Sequence, residues 1–399
     1  MSGRKWSFGL AVCAICMFAS EGLSQAANGN RRINHAGFNA RAMSNAAPVS
    51  APEADTSWEG NSGNRGAAWI GDCGDDCGDA CGDACGDECC EESCCPRRTC
   101  CPTWRVYGDF LYLRPRNAEV VYAVPFDGPV TPQPAVPIQM GRVALVDHDY
   151  DPGFRVGFAR DLNECASLGA SYAQLDTSSS DSITVDAPLV LRSMVIHPAT
   201  LDAEADWLDA RASQRINYKL ADIEYRRTFL SGCRHNASYL IGASYGHLEQ
   251  DFRSTFSTLS VDREEVDTDI NFDGGGIRLG LEGERMAPCS GWLVYGRANA
   301  RFLAGEFSAR YTQGSTFDPE IVDAQWKAGR IVSLLDLELG VGWASPNGCL
   351  RLTGGYMVSG WYNAVTTSNF IGAVQKNDFG GMSDTVTFDG LVVRGEVRF

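Results

Sequence analysis

The sequence predicts an all-β protein: a transmembrane, antiparallel, up-and-down β-barrel of about ten strands, preceded by a disordered Cys-rich extension. Three observations predict this fold. They are an export signal at the N-terminus, segments with one apolar and one charged face from residue 103 onward, and connections that alternate between short and long. In hydrocarbon each unpaired backbone group costs several kcal/mol, so a sheet there closes into a ring without free edges.

The first 26 residues are predicted to form a secretory signal peptide. Arg4 and Lys5 precede a short apolar run at 8–20, and small residues at 24–26 suit cleavage. No later apolar run is long enough for a transmembrane helix. The mature chain is therefore expected in an oxidising compartment. Its excess of acidic residues argues against nucleic acid as a partner.

Two segments without apolar periodicity precede the barrel. Residues 27–70 are rich in Ala, Asn, Gly, Ser and Pro and are predicted to be a disordered linker. Residues 71–102 form an acidic, low-complexity segment with ten of the sixteen cysteines, first in C-G-D repeats and then in adjacent pairs. Repeated glycine opposes a helix. We therefore expect this segment to be a flexible tether in the periplasm.

The ten clustered cysteines leave three hypotheses open. Their C-x3-C spacing differs from the C-x2-C pairs of structural zinc sites, and an oxidising compartment also argues against a metal. We assign no metal ligand and no cofactor. Internal disulfides are the simplest alternative. Disulfides to envelope neighbours are the third hypothesis, because adjacent cysteines bond each other only under strain and so favour distant partners.

The last strand shows the alternation most clearly. Leu391, Val393 and Val397 share one of its faces, and Arg394 and Glu396 share the other. Similar segments bring the count to ten strands, which are expected to begin near Trp104, Phe154, Ala166, Ala212, Ala237, Thr268, Gly291, Ile331, Cys349 and Asp384. Residues 119–125 and 141–147 could form an extra hairpin, which would make twelve strands.

The connections between these strands predict the orientation of the barrel. Short turns alternate with long polar segments at 115–152, 176–210, 252–267, 312–330 and 363–384. Outer-membrane barrels have short periplasmic turns and long extracellular loops, so the short-turn rim is expected in the periplasm. Aromatic residues near strand ends fit the interfacial girdles of such barrels: Trp104, Tyr112, Trp292, Trp343, Trp361 and Tyr362.

Three short segments carry a family resemblance. The opening strand WRVYGDFLYLRP, the internal SLLDLELGVGW and the closing FDGLVVRGEVRF resemble the pore-forming outer-membrane protein family named after the Legionella major outer-membrane protein. The resemblance covers residues 103–399 and implies one outer-membrane β-barrel pore without catalytic residues. The terminal Phe399 resembles the signal read by the outer-membrane assembly machinery. That machinery and outer-membrane lipid are therefore expected partners.

The charged face of the strands is predicted to point into the barrel. The pore-lining candidates are Arg155, Asp222, Glu224, Arg226, Arg278, Glu282, Glu284, Arg297, Arg301, Asp336, Glu338, Arg351, Arg394 and Glu396. In one interpretation they line a water-filled channel and tune which solutes pass. In the other, opposite charges pair across a narrow interior, because barrels near eight strands are just filled by side chains.

Four cysteines lie in the barrel, each at a short turn or beside one: Cys165, Cys233, Cys289 and Cys349. They are candidates for disulfides at the periplasmic rim, for example Cys165 with Cys233 and Cys289 with Cys349. Four cysteines allow three pairings, and the sequence does not choose among them.

An enzyme is not expected. The G-x-S-x-G pattern at 242–246 needs a sharp turn from a strand to a helix, whereas Ser244 lies within an alternating strand. Two functions therefore remain. The first is a porin-like channel for passive diffusion of small hydrophilic solutes or ions. The second is a structural envelope protein, a closed barrel whose Cys-rich tether forms disulfide cross-links. A monomer and an oligomer are both open.

Overall fold

The computed structural model describes residues 103–128, 138–163, 165–200, 206–232, 234–258, 263–288, 290–346 and 348–399. The predicted signal peptide, linker and Cys-rich segment lie outside these residues, as do Cys233 and Cys289. Among the described residues, no helix has both the length and the apolar character needed to cross a membrane.

The described residues form thirteen strands and one helix. In chain order they are β1 (Trp104–Arg116), β2 (Val120–Phe126), β3 (Ala144–Val146), β4 (Asp151–Asn163), β5 (Ala166–Thr184), β6 (Val190–Ser193), β7 (Asp209–Ser231), β8 (His235–Ser257), β9 (Arg263–Met286), β10 (Trp292–Ser315), β11 (Val322–Ala344), β12 (Leu350–Ala364), α1 (Thr367–Lys376) and β13 (Asp384–Arg398). Ten strands close into an antiparallel barrel in the order β1-β13-β12-β11-β10-β9-β8-β7-β5-β4. The predicted ten-stranded barrel is confirmed.

The two segments that could have added a hairpin do not join the barrel. They form β2 and β3, which pair with each other, and β2 also pairs with β6, so that the three strands make a separate sheet of order β3-β2-β6. This small sheet packs against the barrel interior, because Tyr122 of β2 is fully buried in the same apolar cluster as Leu111 of β1. The barrel therefore has ten strands, not twelve.

Several strands are longer than the sequence pattern predicts. Strands β7 to β11 each contain 23 or 24 residues, whereas about 9–11 residues suffice to cross a bilayer. Parts of the segments predicted to be long polar loops, such as residues 176–184 and 322–330, belong to strands. The sheet thus extends well beyond a membrane on the long-loop side.

The alternation of polar and apolar residues reverses partway along these long strands. In β10 the outward Phe302 is apolar and exposed, while the inward Arg301 is charged and buried. Further along the same strand, the inward Phe307 is fully buried and the outward Glu306 is exposed. This pattern fits a barrel that is surrounded first by hydrocarbon and then by water. In the sequence, strand segments with a polar outer face look like loops, which is why loops are predicted over residues 176–184 and 322–330.

The helix α1 lies in the connection between β12 and β13 and was not predicted. Its N-cap residue Thr366 accepts a hydrogen bond from the backbone N–H of Asn369, and the helix ends at Asn377 in the left-handed conformation. Phe370 and Val374 are buried in the barrel interior. The amide of Gln250 on β8 donates to the carbonyl of Val365 at 2.7 Å, which ties this connection to the opposite wall.

Removal of the helix cap is expected to loosen α1. In Thr366→Ala we expect a loss of about 1 kcal/mol in the free energy of unfolding, because the Asn369 N–H loses its acceptor. The Thr366 hydroxyl also contacts Asp384 Oδ2 at 3.2 Å. Denaturant titration of the refolded barrel measures the change. The matched control is Ser368→Ala at an exposed position of α1, and equal losses in both variants would contradict the capping role.

One of the predicted girdle aromatics points inward instead. Trp104, Trp292 and Tyr362 are exposed on the outer surface, but Trp361 is fully buried inside the barrel. Adjacent residues of a strand face opposite sides of the sheet, so Trp361 and Tyr362 cannot both face lipid. The girdle prediction is wrong for Trp361, whose indole packs 5.9 Å from the ring of Tyr218, measured between centroids.

Candidate functional site: the barrel interior

An ionic layer of arginines and carboxylates fills the part of the barrel that is apolar on its outside. We define it by eight arginines, Arg105, Arg155, Arg226, Arg278, Arg297, Arg301, Arg351 and Arg394, and eight carboxylates, Asp109, Asp222, Glu224, Glu282, Glu284, Asp336, Glu338 and Glu396. Each projects inward because it alternates with outward apolar residues on its strand. The layer therefore contains as many positive guanidinium groups as negative carboxylates.

All fourteen pore-lining candidates lie in the ionic layer. The structure brings them together, and their role in a pore stays a prediction. Sequence reasoning missed the other two members, Arg105 and Asp109, of which Asp109 is only 4% exposed. The position of Asp109 in β1, between the outward Gly108 and Phe110, is a signal that could have identified it.

Asp109 joins strands β1, β4 and β13. Its carboxylate accepts hydrogen bonds from Arg394 Nε at 2.7 Å and from Arg155 Nε. The Arg394 guanidinium also lies over the ring of Tyr107, 4.1 Å from its centroid. A cation between a carboxylate and an aromatic face is stabilised by both.

Glu338 of β11 contacts one cation from the neighbouring strand β10 and one from β4 on another side of the barrel. Arg155 of β4 lies 3.1 Å away and Arg297 of β10 lies 2.8 Å away. The hydroxyl of Tyr295 donates to the same carboxylate at 2.9 Å. Because β4 and β11 are four places apart in the ring of strands, the contact from Arg155 to Glu338 crosses the lumen.

Asp222 of β7 connects its own strand to two others, β9 and β10. Arg278 of β9 and Arg301 of β10 each lie 2.9 Å from its Oδ2 atom. Ser244 donates to its Oδ1 atom at 2.5 Å, so the serine of the G-x-S-x-G pattern orients a carboxylate. Arg301 continues to Asp336 of β11, which also accepts from the hydroxyl of Ser359 at 2.6 Å.

These contacts form one continuous network. Its links join Arg394, Asp109, Arg155, Glu338, Arg297, Glu282, Arg226, Glu224, Arg278, Asp222, Arg301 and Asp336 in that order. A buried charge that loses its partner is costly, so removing one member of this network is expected to destabilise the barrel.

An apolar core fills the barrel beyond the ionic layer, on the side of the long connections. Its members come from the inward faces of the long strands, from α1 and from the small sheet. The largest buried side chains of the protein lie here, including Trp207, Phe252, Phe256, Phe272, Phe307, Tyr311, Trp361 and Phe388. Rings pack directly, as shown by Phe272 and Phe307 with centroids 4.7 Å apart. Side chains therefore fill the barrel interior at two successive heights, first in the ionic layer and then in the apolar core.

Two of the four barrel cysteines, Cys165 and Cys349, lie within the described residues, directly before β5 and β12. The carbonyl of Cys165 accepts from the backbone N–H of Thr228 on β7, and that of Cys349 accepts from the backbone N–H of Arg398 on β13. Cys165 and Cys349 are each in a disulfide-bonded state. Because Cys233 and Cys289 lie outside the described residues, the pairing of the four cysteines stays a prediction.

Two further chemical possibilities concern metal-binding side chains and the serine of the G-x-S-x-G pattern. None of their His, Cys, Asp and Glu side chains form a group of three that could hold a metal ion. Ser244 is inward and buried, whereas His247 on the same strand faces outward and contacts Asp273 at 2.9 Å. A strand holds such residues on opposite faces, so His247 cannot activate Ser244.

Comparison with known proteins identifies the family. A protein-family model described as Legionella pneumophila major outer membrane protein precursor matches residues 98–398. No curated protein matches the chain. Among solved structures, the outer membrane protease OmpT from Escherichia coli has 8% sequence identity and a TM-score of 0.42, over 74% of this chain and 96% of that chain.

Two further solved structures show weaker similarity. The toluene transporter TodX of P. putida has 8% identity and a TM-score of 0.29, over 74% of this chain and 90% of its own. A FadL homologue of Pseudomonas aeruginosa has 9% identity and a TM-score of 0.21, over 73% and 89%. The family match, by contrast, spans nearly the whole described chain. The protein is an outer-membrane β-barrel and belongs to the Legionella pneumophila major outer membrane protein family.

Proposed function

We propose that the lumen of this barrel is blocked and that the protein has a structural role in the cell envelope. Its Cys-rich tether forms disulfide cross-links in the periplasm. The observation that carries the proposal is the occupied interior, where the ionic layer and the apolar core lie one above the other. A solute passing through would have to separate buried ion pairs. Breaking such a pair costs about 3–5 kcal/mol when one partner is left uncompensated.

The attachment point of the tether supports a periplasmic cross-linker. The backbone N–H of Trp104 donates to the carbonyl of Phe399 at 2.9 Å, so the barrel begins and ends at the same rim. That rim carries the short turns with the barrel cysteines, and short turns face the periplasm in outer-membrane barrels. Residues 71–102 precede β1 directly, so their ten cysteines would emerge on this side.

Conductance of the full-length chain in planar lipid bilayers tests whether the barrel is closed. We expect no stepwise current, because two filled levels block the lumen. Electrophoresis of native envelopes without reductant tests the cross-linking. We expect high-mass species that collapse on reduction and that are absent when residues 71–102 are deleted. Stepwise conductance of the intact chain, or the absence of reducible species, would contradict the proposal.

A porin-like channel for small hydrophilic solutes or ions is the second candidate. It is favoured by the charged inward residues at membrane level, which are suited to contact hydrated solutes. A variant in which a short Gly-Ser linker replaces residues 366–383 separates the two candidates. A closed barrel stays silent in this variant because the ionic layer remains, whereas a channel closed only by this connection would conduct.

A further inference from the structure

Four arginines form an arc at the short-turn rim of the barrel. We define this arginine arc as Arg160 of β4, Arg227 of β7, Arg234 in the turn before β8, and Arg285 of β9. The strands that carry it are consecutive in the ring, in the order β4-β5-β7-β8-β9. Because neighbouring strands lie about 4.8 Å apart, the arc extends over about 19 Å.

The side chains of the arginine arc point away from the lumen. Arg160 is exposed and follows the outward Phe158 by two residues, and the exposed Arg285 follows the outward Leu281 by four. Residues an even number apart share one face of a strand. Arg234 in the turn is exposed as well. The arc therefore presents its guanidinium groups to the outside of the barrel.

The arginine arc has no carboxylate partner among the described residues. The guanidinium of Arg160 lies over the ring of Trp104, 5.6 Å from its centroid, which stabilises the cation without neutralising it. Carboxylates of this rim are bound to other arginines instead, in the pairs Asp161 with Arg105, Glu284 with Arg351, and Glu396 with Arg398. The positive charge of the arc is thus open to an acidic partner.

Exposed arginines at the opposite end of the barrel are paired, in contrast. An aspartate lies 2.5–3.2 Å from each of Arg211, Arg215, Arg253 and Arg310. These four side chains lie on the outer face of the long strands, as the members of the arc do at the other end. Exposure on this barrel therefore does not by itself leave an arginine without a carboxylate.

The segment that precedes the barrel carries the opposite charge. Residues 72–92 contain nine Asp and Glu and no Lys or Arg. The chain enters the barrel at Trp104, which is directly opposite Arg160 in the register of β1 and β4. The stretch from Glu92 to Trp104 spans up to about 40 Å when extended, about twice the width of the arc. The acidic residues can therefore reach every arginine of the arc.

We propose that the acidic, Cys-rich segment of this chain docks on the arginine arc through ion pairs between its carboxylates and the four guanidinium groups. Arginine and carboxylate groups form short, charge-assisted hydrogen bonds, often two at a time. Docking holds the ten clustered cysteines at the short-turn rim. The inference rests on the proposed function only for the use of these cysteines as cross-links, because the docking contact itself needs no thiol.

Proteolysis of the full-length chain, refolded in a neutral detergent, tests the docking. An endoproteinase that cleaves after glutamate attacks Glu88, Glu91 and Glu92 of the segment, and docking protects these sites. We expect cleavage to be at least about fivefold slower at about 0.01 M salt, where the Debye length is about 30 Å, than at about 1 M salt, where it is about 3 Å. Each exposed ion pair is weak, but several act together at the high effective concentration of a tethered segment.

The test variant changes all four arginines of the arc, as Arg160→Gln/Arg227→Gln/Arg234→Gln/Arg285→Gln. It should lose the protection at low salt. The matched control removes the same number of charges at the other end of the barrel, as Arg211→Gln/Arg215→Gln/Arg253→Gln/Arg310→Gln, and should keep it. Heat-modifiable electrophoretic mobility shows that each variant is folded. If the test variant does not fold, replacement of the six aspartates at 72–87 by asparagine leaves the barrel unchanged and should expose the same cleavage sites.

Two outcomes would overturn the docking. One is equal cleavage of the test variant and the control at low salt. The other is loss of protection when small amounts of phosphatidylglycerol are added to the micelles, which would assign the arc to the phosphate groups of anionic lipid. Reductant separates docking from cross-linking, because ion pairs should persist in it while disulfide-linked species collapse. Protection without reducible high-mass species would contradict only the cross-linking, and such species without protection would contradict only the docking.

Discussion

Replacement of Asp222 by alanine is expected to lower the free energy of unfolding of the barrel by about 3–5 kcal/mol. Arg278 and Arg301 each lose a partner at 2.9 Å, and Ser244 loses the acceptor of its hydrogen bond. Both guanidinium groups stay buried without that carboxylate, and uncompensated buried charge is expensive. Guanidinium chloride titration of the refolded barrel in detergent measures the loss.

Two controls separate this effect from the loss of a charge as such. Glu306→Gln removes an exposed carboxylate and should change stability by no more than about 0.5 kcal/mol. The double variant Asp222→Leu/Arg301→Met removes a carboxylate and one of its cations together. It should cost less than the sum of the two single changes, because residues in one ionic network are coupled. Additive losses would show that the network is not a connected unit.

Replacement of Trp361 by alanine is the second change that we expect to lower the free energy of unfolding strongly. The indole is fully buried in the apolar core against Tyr218, whose ring also lies 4.9 Å from that of Phe388. Truncation leaves a cavity that surrounding strands cannot close, so we expect a loss of about 3–5 kcal/mol in the free energy of unfolding. The same denaturant titration measures it.

The adjacent Tyr362 provides the matched control for Trp361. It is 45% exposed on the outer face of the same strand, whereas Trp361 is 0% exposed. Tyr362→Ala should cost clearly less, because an outward side chain leaves no internal cavity. If Tyr362→Ala were the more damaging change, the inward orientation of Trp361 would be wrong.

The wall of the barrel was predictable because its signal is local. Successive side chains on a strand point to opposite faces, so parity alone placed Arg301 and Asp336 inside and Phe302 and Leu339 outside. The strand count and the positions of the short turns follow from the same pattern. Its failures have local causes as well, since residues 176–184 and 322–330 look like polar loops in the sequence but belong to strands.

The partners of the inward charges were not predictable from this pattern. Arg155 and Glu338 are 183 residues apart in sequence, and Asp109 and Arg394 are 285 apart. Neither sequence spacing nor strand parity says which arginine meets which carboxylate across the lumen. The helix α1 was missed for a related reason. It is a short segment in a polar connection, and its apolar residues are explained only by the barrel interior that receives them.

The sequence by itself therefore determined an exported, ten-stranded outer-membrane barrel with charges inside, because strand alternation and turn length are read over a few neighbouring residues. Only the tertiary structure decided whether that interior is occupied. The closure of the barrel sets the distance between opposite walls, and that distance allows Arg155 to contact Glu338 and α1 to lie within the mouth. Contacts across a lumen depend on the whole ring of strands, and no short stretch of sequence encodes them.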